Sequence, residues 1–313
     1  MTIIDSLEKF RKKIETEIEA IPSSDKIPLF YEPIHYINRL SGKKIRPLLT
    51  VLSGLAVGGK IENLLPPAAA VELLHNFSLV HDDIMDDDDT RRGKETVHVK
   101  WDIGTAILTG DGLLGLAYRK LLSTPNITDL IIARLFTDAM LEICEGQALD
   151  KTFEERKLIS ESEYIEMIQK KTATLIQLAC QIGAIVGEGK DKEIQSLTSF
   201  GLSIGMGFQI QDDLLDIFAD EELLGKRVGS DVLMNKKTII SIRLSERRGK
   251  PVDDIKSVDK FRELIQEYGL AEEIQSIADT YFVKAREMLD KIAPNEYRSY
   301  LYDLTDYIQN RKK

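Results

Sequence analysis

A chain of 313 residues with 43% hydrophobic and 30% charged side chains and a formal net charge of -10 can bury a large core and is too apolar to be disordered. The acidic balance argues against nucleic acid as a partner, and no apolar run reaches the roughly 20 residues that cross a bilayer. The opening MTIIDSLEKFRKKIETEIEA lacks the apolar stretch of a signal peptide, so the expected address is the cytoplasm.

In chain order, apolar periodicity predicts helices over residues 2–20, 28–40, 44–57, 67–87, 101–122, 127–153, 161–187, 191–219, 236–248, 258–290 with a break near Gly269, and 295–311. The helix at 67–87 is expected to open on Pro66-Pro67, since proline suits a first turn. No proline falls between Pro125 and Pro251, which leaves room for long helices, and no alternating apolar segments are closed by Asn-Gly or Asp-Gly turns. The expected fold is therefore all-α, a single domain over residues 1–313. Cys144 and Cys180 each lie in an apolar helical pattern and are expected as buried free thiols rather than a disulfide.

Two segments carry chemistry. Asp82-Asp83-Ile84-Met85-Asp86 and Asp212-Asp213-Leu214-Leu215-Asp216 both read DDxxD. At about 100° per residue, the outer aspartates of each motif lie nearly above one another on a helix, so each motif presents one acidic face. The first stripe extends back through Ser78 and His75, the second through Gln209 and Gly205. A solvated helix face is the ordinary reading of one acidic run. Two matching motifs behind the apolar lead-ins ELLHNFSLVH and GLSIGMGFQI point elsewhere, because buried carboxylates repel unless cations join them. A calcium-binding EF-hand fails because a loop starting at Asp82 or Asp86 has no glycine at its sixth position and no twelve-residue ligand pattern. Magnesium takes one or two carboxylates and completes its shell with water and phosphate, so a pair of DDxxD helices suggests a clamped diphosphate. Cations for that anion are available in Gly42-Lys43-Lys44-Ile45-Arg46-Pro47, at Arg91-Arg92, at Lys171, and from Lys226 to Lys236.

The ordered series GKKIRP, ELLHNFSLVHDDIMDDDDTRRG, GDGLL, EGQALD, KKTATL, FQIQDDLLD and GKRVGSDVLMNKKT resembles the farnesyl and geranylgeranyl diphosphate synthases, the trans-prenyltransferases, nearly end to end. The likeness is nearest to the archaeal-type geranylgeranyl diphosphate synthases. It implies a homodimer built from bundles of long antiparallel helices around a deep cavity. It also implies magnesium-dependent joining of isopentenyl diphosphate to dimethylallyl, geranyl or farnesyl diphosphate.

By matching positions, the resemblance makes Asp82, Asp83, Asp86, Asp212 and Asp216 ligands of a cluster of three magnesium ions, with Asp213 as the accompanying acid. Arg91, Lys171 and Lys226 would contact the allylic diphosphate. Lys43, Arg46, His75 and Arg92 would hold isopentenyl diphosphate without metal, and the dipoles of Thr172 and Gln209 would stand beside the allylic cation. Lys236, Gln147 and Asp150 match positions lining the allylic site, and Asp231 one that orients its neighbours. The terminal Arg311-Lys312-Lys313 resembles a tail that closes the site in some relatives, against the alternative of a frayed end.

Product length in these enzymes is limited by residues just before the first motif. An aromatic at Phe77 with a small residue at Ser78 implies geranylgeranyl diphosphate, with farnesyl or longer products as alternatives. Ideal geometry turns Phe77 about 140° from Asp82, which fits a core residue as well as a tunnel floor. A class I terpene cyclase would not need GKKIRP or Arg92, and non-catalytic subunits of heteromeric synthases usually lack intact acidic motifs.

Overall fold

The computed structural model describes residues 3–40, 42–125, 130–218 and 236–311. The chain is all-α, and its helices follow the apolar periodicity closely. The N-terminal half comprises α1 (Ile3–Ser6), α2 (Glu8–Glu19), α3 (Pro28–Arg39), α4 (Ile45–Ala56), α5 (Ile61–Met85), α6 (Val97–Lys100) and α7 (Ile103–Leu121). The remainder comprises α8 (Leu130–Glu154), α9 (Glu161–Ile168), α10 (Thr174–Val186), α11 (Asp191–Phe218), α12 (Ile239–Arg248), α13 (Val258–Glu267), α14 (Leu270–Leu289) and α15 (Glu296–Gln309). Side chains close several helix starts: Ser160 and Glu163 form a reciprocal capping box on α9, and Asn295 accepts from the Arg298 N–H on α15.

Four local features depart from the sequence expectation. The predicted helix 2–20 is interrupted at the fully buried Leu7, between α1 and α2. Helix α5 begins at Ile61, so Pro66 and Pro67 lie inside it rather than at its first turn. Each proline deletes one bond to the carbonyl four residues earlier, but those carbonyls belong to the exposed Glu62 and half-buried Asn63, where water can serve them. Burial of Leu64, Pro67 and Ala68 to Ala70 then holds the extra turn.

A two-residue antiparallel ladder, β1 (Thr90–Arg91) with β2 (Lys94–Glu95), follows α5. It turns at Arg92 and Gly93, whose φ values of 54° and 71° match a type I′ hairpin in which arginine occupies a place more often taken by Asn. Finally, α9 and α10 are joined by a π turn, Gln169–Ala173, within the helix predicted over 161–187.

Helices α4, α5, α10 and α11 form the interior. Leu48, Leu49, Val51 and Leu52 of α4 are fully buried with Ala68 to Val71 of α5, Ile182 of α10, and Phe200 and Ile204 of α11. Helix α7 packs along α5 and α14 along α11. Cys180 is a buried thiol, pushed up to about 12 by desolvation. Cys144, expected to be buried, is exposed, because the α8 stripe that carries it borders an open cavity rather than another helix. Among the described residues no helix is long and apolar enough to cross a membrane.

Candidate active site

The first DDxxD motif lies at the C-terminal end of α5 and the second near the end of α11. A cavity of about 460 Å³ opens between α5, α8, the π turn and α11, and both Asp82 and Asp212 line it. His75, Ser78, Gln147, Lys171, Thr172 and Gln209 share that lining, as does Arg46 of α4. A neighbouring cavity of about 350 Å³ is bordered by Asp150, Asp213, Asp216 and Lys236, and shares Lys171, Thr172, Gln209 and Asp212 with the first. The two acidic helices therefore border one cavity, with the second adjoining it along α11 and the π turn.

Lysines neutralise the acids around this space. Lys171 Nζ donates to Asp150 Oδ2 at 2.5 Å and stands 3.6 Å from Asp82 Oδ1. Asp86 lies 3.3 Å from Lys236 Nζ and 3.5 Å from Lys151 Nζ. Desolvation raises the Asp86 carboxyl, but Lys236, Lys171 and Lys151 outweigh it and hold the group below the usual range. At Asp82 desolvation prevails and pushes the carboxyl up. Arg311 Nη2 reaches Asp212 Oδ1 at 3.0 Å and the Phe208 carbonyl at 2.9 Å, with its guanidinium 3.8 Å above the Phe208 ring. Arg311 itself is therefore docked on the second motif.

The π turn puts Lys171 and Thr172 on the cavity wall. Such a bulge is common at functional sites, and here a close approach accompanies it. A Cβ at Gly146 of α8 would stand 2.3 Å from the Lys171 backbone nitrogen, so only glycine lets α8 come this near. Thr172 Oγ1 donates to Gln209 Oε1 at 2.9 Å, and Gln209 Nε2 donates to Asp213 Oδ1 at 3.0 Å. Tyr164 Oη donates to Asp213 Oδ2 at 2.7 Å. This chain of bonds fixes which end of the Gln209 amide meets Thr172.

A second group, rich in cations, meets the cavity at Arg46 and His75. Arg46 Nη1 lies 3.3 Å from His75 Nε2. Burial, followed by Arg46, Arg92, Arg91 and Lys44, holds the His75 imidazole well below its ordinary value, so it is neutral and can accept from Arg46. Burial, with opposing help from Glu72 and further depression by Arg92, pushes Arg46 down to about 10. The Arg92 guanidinium packs against Gly42, and Lys43 is exposed with its ammonium 5.2 Å from the Tyr307 ring centroid. Neither Lys43 nor Arg92 lines the two cavities.

The polyprenyl synthetase family profile matches residues 27–268. The chain belongs to the polyprenyl synthetase family. It is 37% identical to the geranylgeranyl diphosphate synthase of Methanosarcina mazei over 100% of this chain and 99% of the relative. The geranylgeranyl pyrophosphate synthetase structure from Pyrococcus horikoshii Ot3 matches with a TM-score of 0.91 and 38% identity, covering 99% of this chain and 98% of that one. The polyprenyl synthase of Caulobacter crescentus CB15, solved with calcium and isoprenyl diphosphate, matches with a TM-score of 0.91 and 27% identity over 99% and 97%. The chain is thus a prenyltransferase acting on isoprenoid diphosphates, with the all-α fold of the isoprenoid synthases.

In this polyprenyl synthetase the acids suit a hard divalent cation. All donors are carboxylate oxygens, and Asp82 Oδ1 is buried without a hydrogen-bond partner. Among the described residues no three acids stand close enough to enclose an ion by themselves. Asp83 is placed differently from Asp82. It is buried off the cavity wall and accepts from Arg91 Nε at 2.5 Å, so it anchors the hairpin rather than facing the space. Burial pushes its carboxyl up to about 6 against the pull of Arg91.

Lys226, Asp231, Lys312 and Lys313 lie outside the described residues. The sequence reading missed Lys151, Tyr164 and the buried Lys44–Glu72 ion pair. Lys151 had a signal, since it follows Gln147 by four residues on the same α8 stripe. Tyr164 and Glu72 looked like ordinary members of helical patterns.

Proposed function

We propose that this prenyltransferase joins isopentenyl diphosphate to allylic diphosphates and releases geranylgeranyl diphosphate as its main product. The observation that carries this reading is one cavity bordered by both acidic motifs, the Arg46–His75 pair and, along its apolar side, Phe77, Ile143 and Leu175. The names of the Methanosarcina and Pyrococcus relatives support the product.

In this reading Asp82, Asp86, Asp212 and Asp216 hold magnesium, three ions per site by the family resemblance; when bound, these supply positive charge to the leaving diphosphate. Lys171 and Lys226 bind the same diphosphate, with Arg91 steered by Asp83. Lys43, Arg46, Arg92 and neutral His75 hold isopentenyl diphosphate without metal. As the allylic C–O bond breaks, the oxygens of Thr172 and Gln209 face the growing positive charge without offering a strong nucleophile. The apolar wall excludes water, so the double bond of isopentenyl diphosphate attacks the allylic carbon. A proton then leaves to the released diphosphate, which restores a double bond. Lys236 and Gln147 line the allylic side. A homodimer is supported by exposed Ile103, Ile107 and Leu108 on α7 and by exposed Leu130, Ile131 and Leu141 on α8.

The test is incubation of the pure protein with magnesium, farnesyl diphosphate and labelled isopentenyl diphosphate, followed by product mass. Geranylgeranyl diphosphate is expected. A cyclic hydrocarbon, or no condensation, overturns the elongation reading; a predominantly longer product overturns the product assignment alone. A light-scattering mass equal to one chain overturns the dimer.

A further inference from the structure

We infer that His81 and Gly110 together set the end wall of the hydrocarbon cavity and so limit product length, an inference that rests on the elongation reading above. Two adjacent stripes of α5 border the cavity. One carries His75, Ser78 and Asp82, and the other carries Phe77 and His81, one turn apart. The rings of Phe77 and His81 pack edge to face with centroids 4.9 Å apart and planes at 63°. Behind them His81 Nε2 lies 3.3 Å from the Ile107 carbonyl oxygen of α7.

Gly110 explains how the imidazole fits there. A Cβ at that position would stand 2.1 Å from His81 Nε2 and 2.4 Å from Cδ2, so the ring occupies a notch in α7 that only glycine leaves open. Phe77 thus leans on a ring that is itself seated on a helix backbone. The wall against which a growing chain stops is the stack of α7 backbone, His81 and Phe77. Phe77 alone, a single side chain with freedom to turn, would be a weaker limit. Filling the notch leaves the imidazole one way to go, toward Phe77 and the cavity. Removing the imidazole takes away the support behind Phe77.

The experiment compares wild type, His81→Ala, Gly110→Ala and the double variant with magnesium, dimethylallyl diphosphate and labelled isopentenyl diphosphate. The readout is the ratio of product lengths, which does not depend on the amount of active enzyme, and circular dichroism checks the fold. One methylene-sized change in an apolar pocket is worth about tenfold or more in discrimination. His81→Ala should therefore raise the ratio of geranylfarnesyl and longer products to geranylgeranyl by about tenfold, and Gly110→Ala should shift products toward farnesyl by a similar factor. The double variant should behave like His81→Ala, because the added methyl no longer has a ring to push. An unchanged ratio in His81→Ala overturns the proposal, even if Gly110→Ala fails to fold. Shortening by Gly110→Ala that persists without the imidazole also overturns it. A wild type whose main product is not geranylgeranyl diphosphate refutes the product assignment, while the direction of these shifts still decides this inference.

Discussion

Replacing Glu72 with leucine should destabilise the protein severely, because it strands a buried charge. Lys44 and Glu72 pair at 2.9 Å with side chains only 4% and 3% exposed. Removing one partner of such a pair costs about 3–5 kcal/mol. Glu72 is also the carboxylate whose field offsets the mutual repulsion of Arg46 and Arg92, which argues for the upper part of that range. Against a total stability of about 5–15 kcal/mol, the loss is a large fraction.

The assay is guanidinium unfolding of wild type, Glu72→Leu and Lys44→Met/Glu72→Leu. The double variant removes both charges and should recover most of the lost stability, since apolar replacements of buried pairs are often neutral. Because Arg46 and Arg92 lose their counter-charge only in the Glu72 variants, the KM for isopentenyl diphosphate should change more than that for the allylic substrate. A Glu72→Leu protein within about 1 kcal/mol of wild type, or a double variant no more stable than the single one, refutes this account of the pair.

Asp82→Ala and Asp212→Ala should each cut turnover by at least about a hundredfold while the helical spectrum is kept, since each removes an oxygen donor rather than core volume; near-normal steady-state rates in both would sink the metal assignment. Arg92→Ala and Lys43→Ala should raise the KM for isopentenyl diphosphate more than that for farnesyl diphosphate, and equal rises would argue against two separate diphosphate sites. Gly146→Ala must displace α8 from the Lys171 backbone, and a shift of about 1 Å in a catalytic group can cost a hundredfold, so single-turnover rates should fall far more than thermal stability. Phe77→Ala should lengthen the product and Ser78→Phe shorten it toward farnesyl diphosphate; unchanged product masses in both would move the limit to another wall.

The all-α architecture and the two acidic motifs were legible in the sequence because both are local. Apolar spacing registers helices wherever side chains three and four apart share a face, and a DDxxD motif needs only its own helix to align its outer carboxylates. The stripe running from His75 through Ser78 to Asp82 could be drawn from the helical repeat, and all three border one cavity. Spacing could not say which way a neighbouring stripe turns. Phe77, placed by angle alone well away from Asp82, lines the same cavity because the space is wide enough to touch two stripes of α5.

What only the tertiary structure decided are contacts between segments distant in sequence. The π turn at Lys171 coincides with the approach of α8 at Gly146, and no propensity of Gln169–Ala173 announces it. The path of Pro66 and Pro67 through a helix interior depends on the burial of Leu64 and Ala68, which outweighs two missing hydrogen bonds. Asp83 is adjacent to Asp82 in sequence, yet it turns to Arg91, because it stands about 100° further round the helix, beyond the two stripes through Phe77–His81 and Ser78–Asp82 that border the cavity. A single sequence encodes the period of each helix directly, whereas the partner that each face meets follows from the packing of all of them at once.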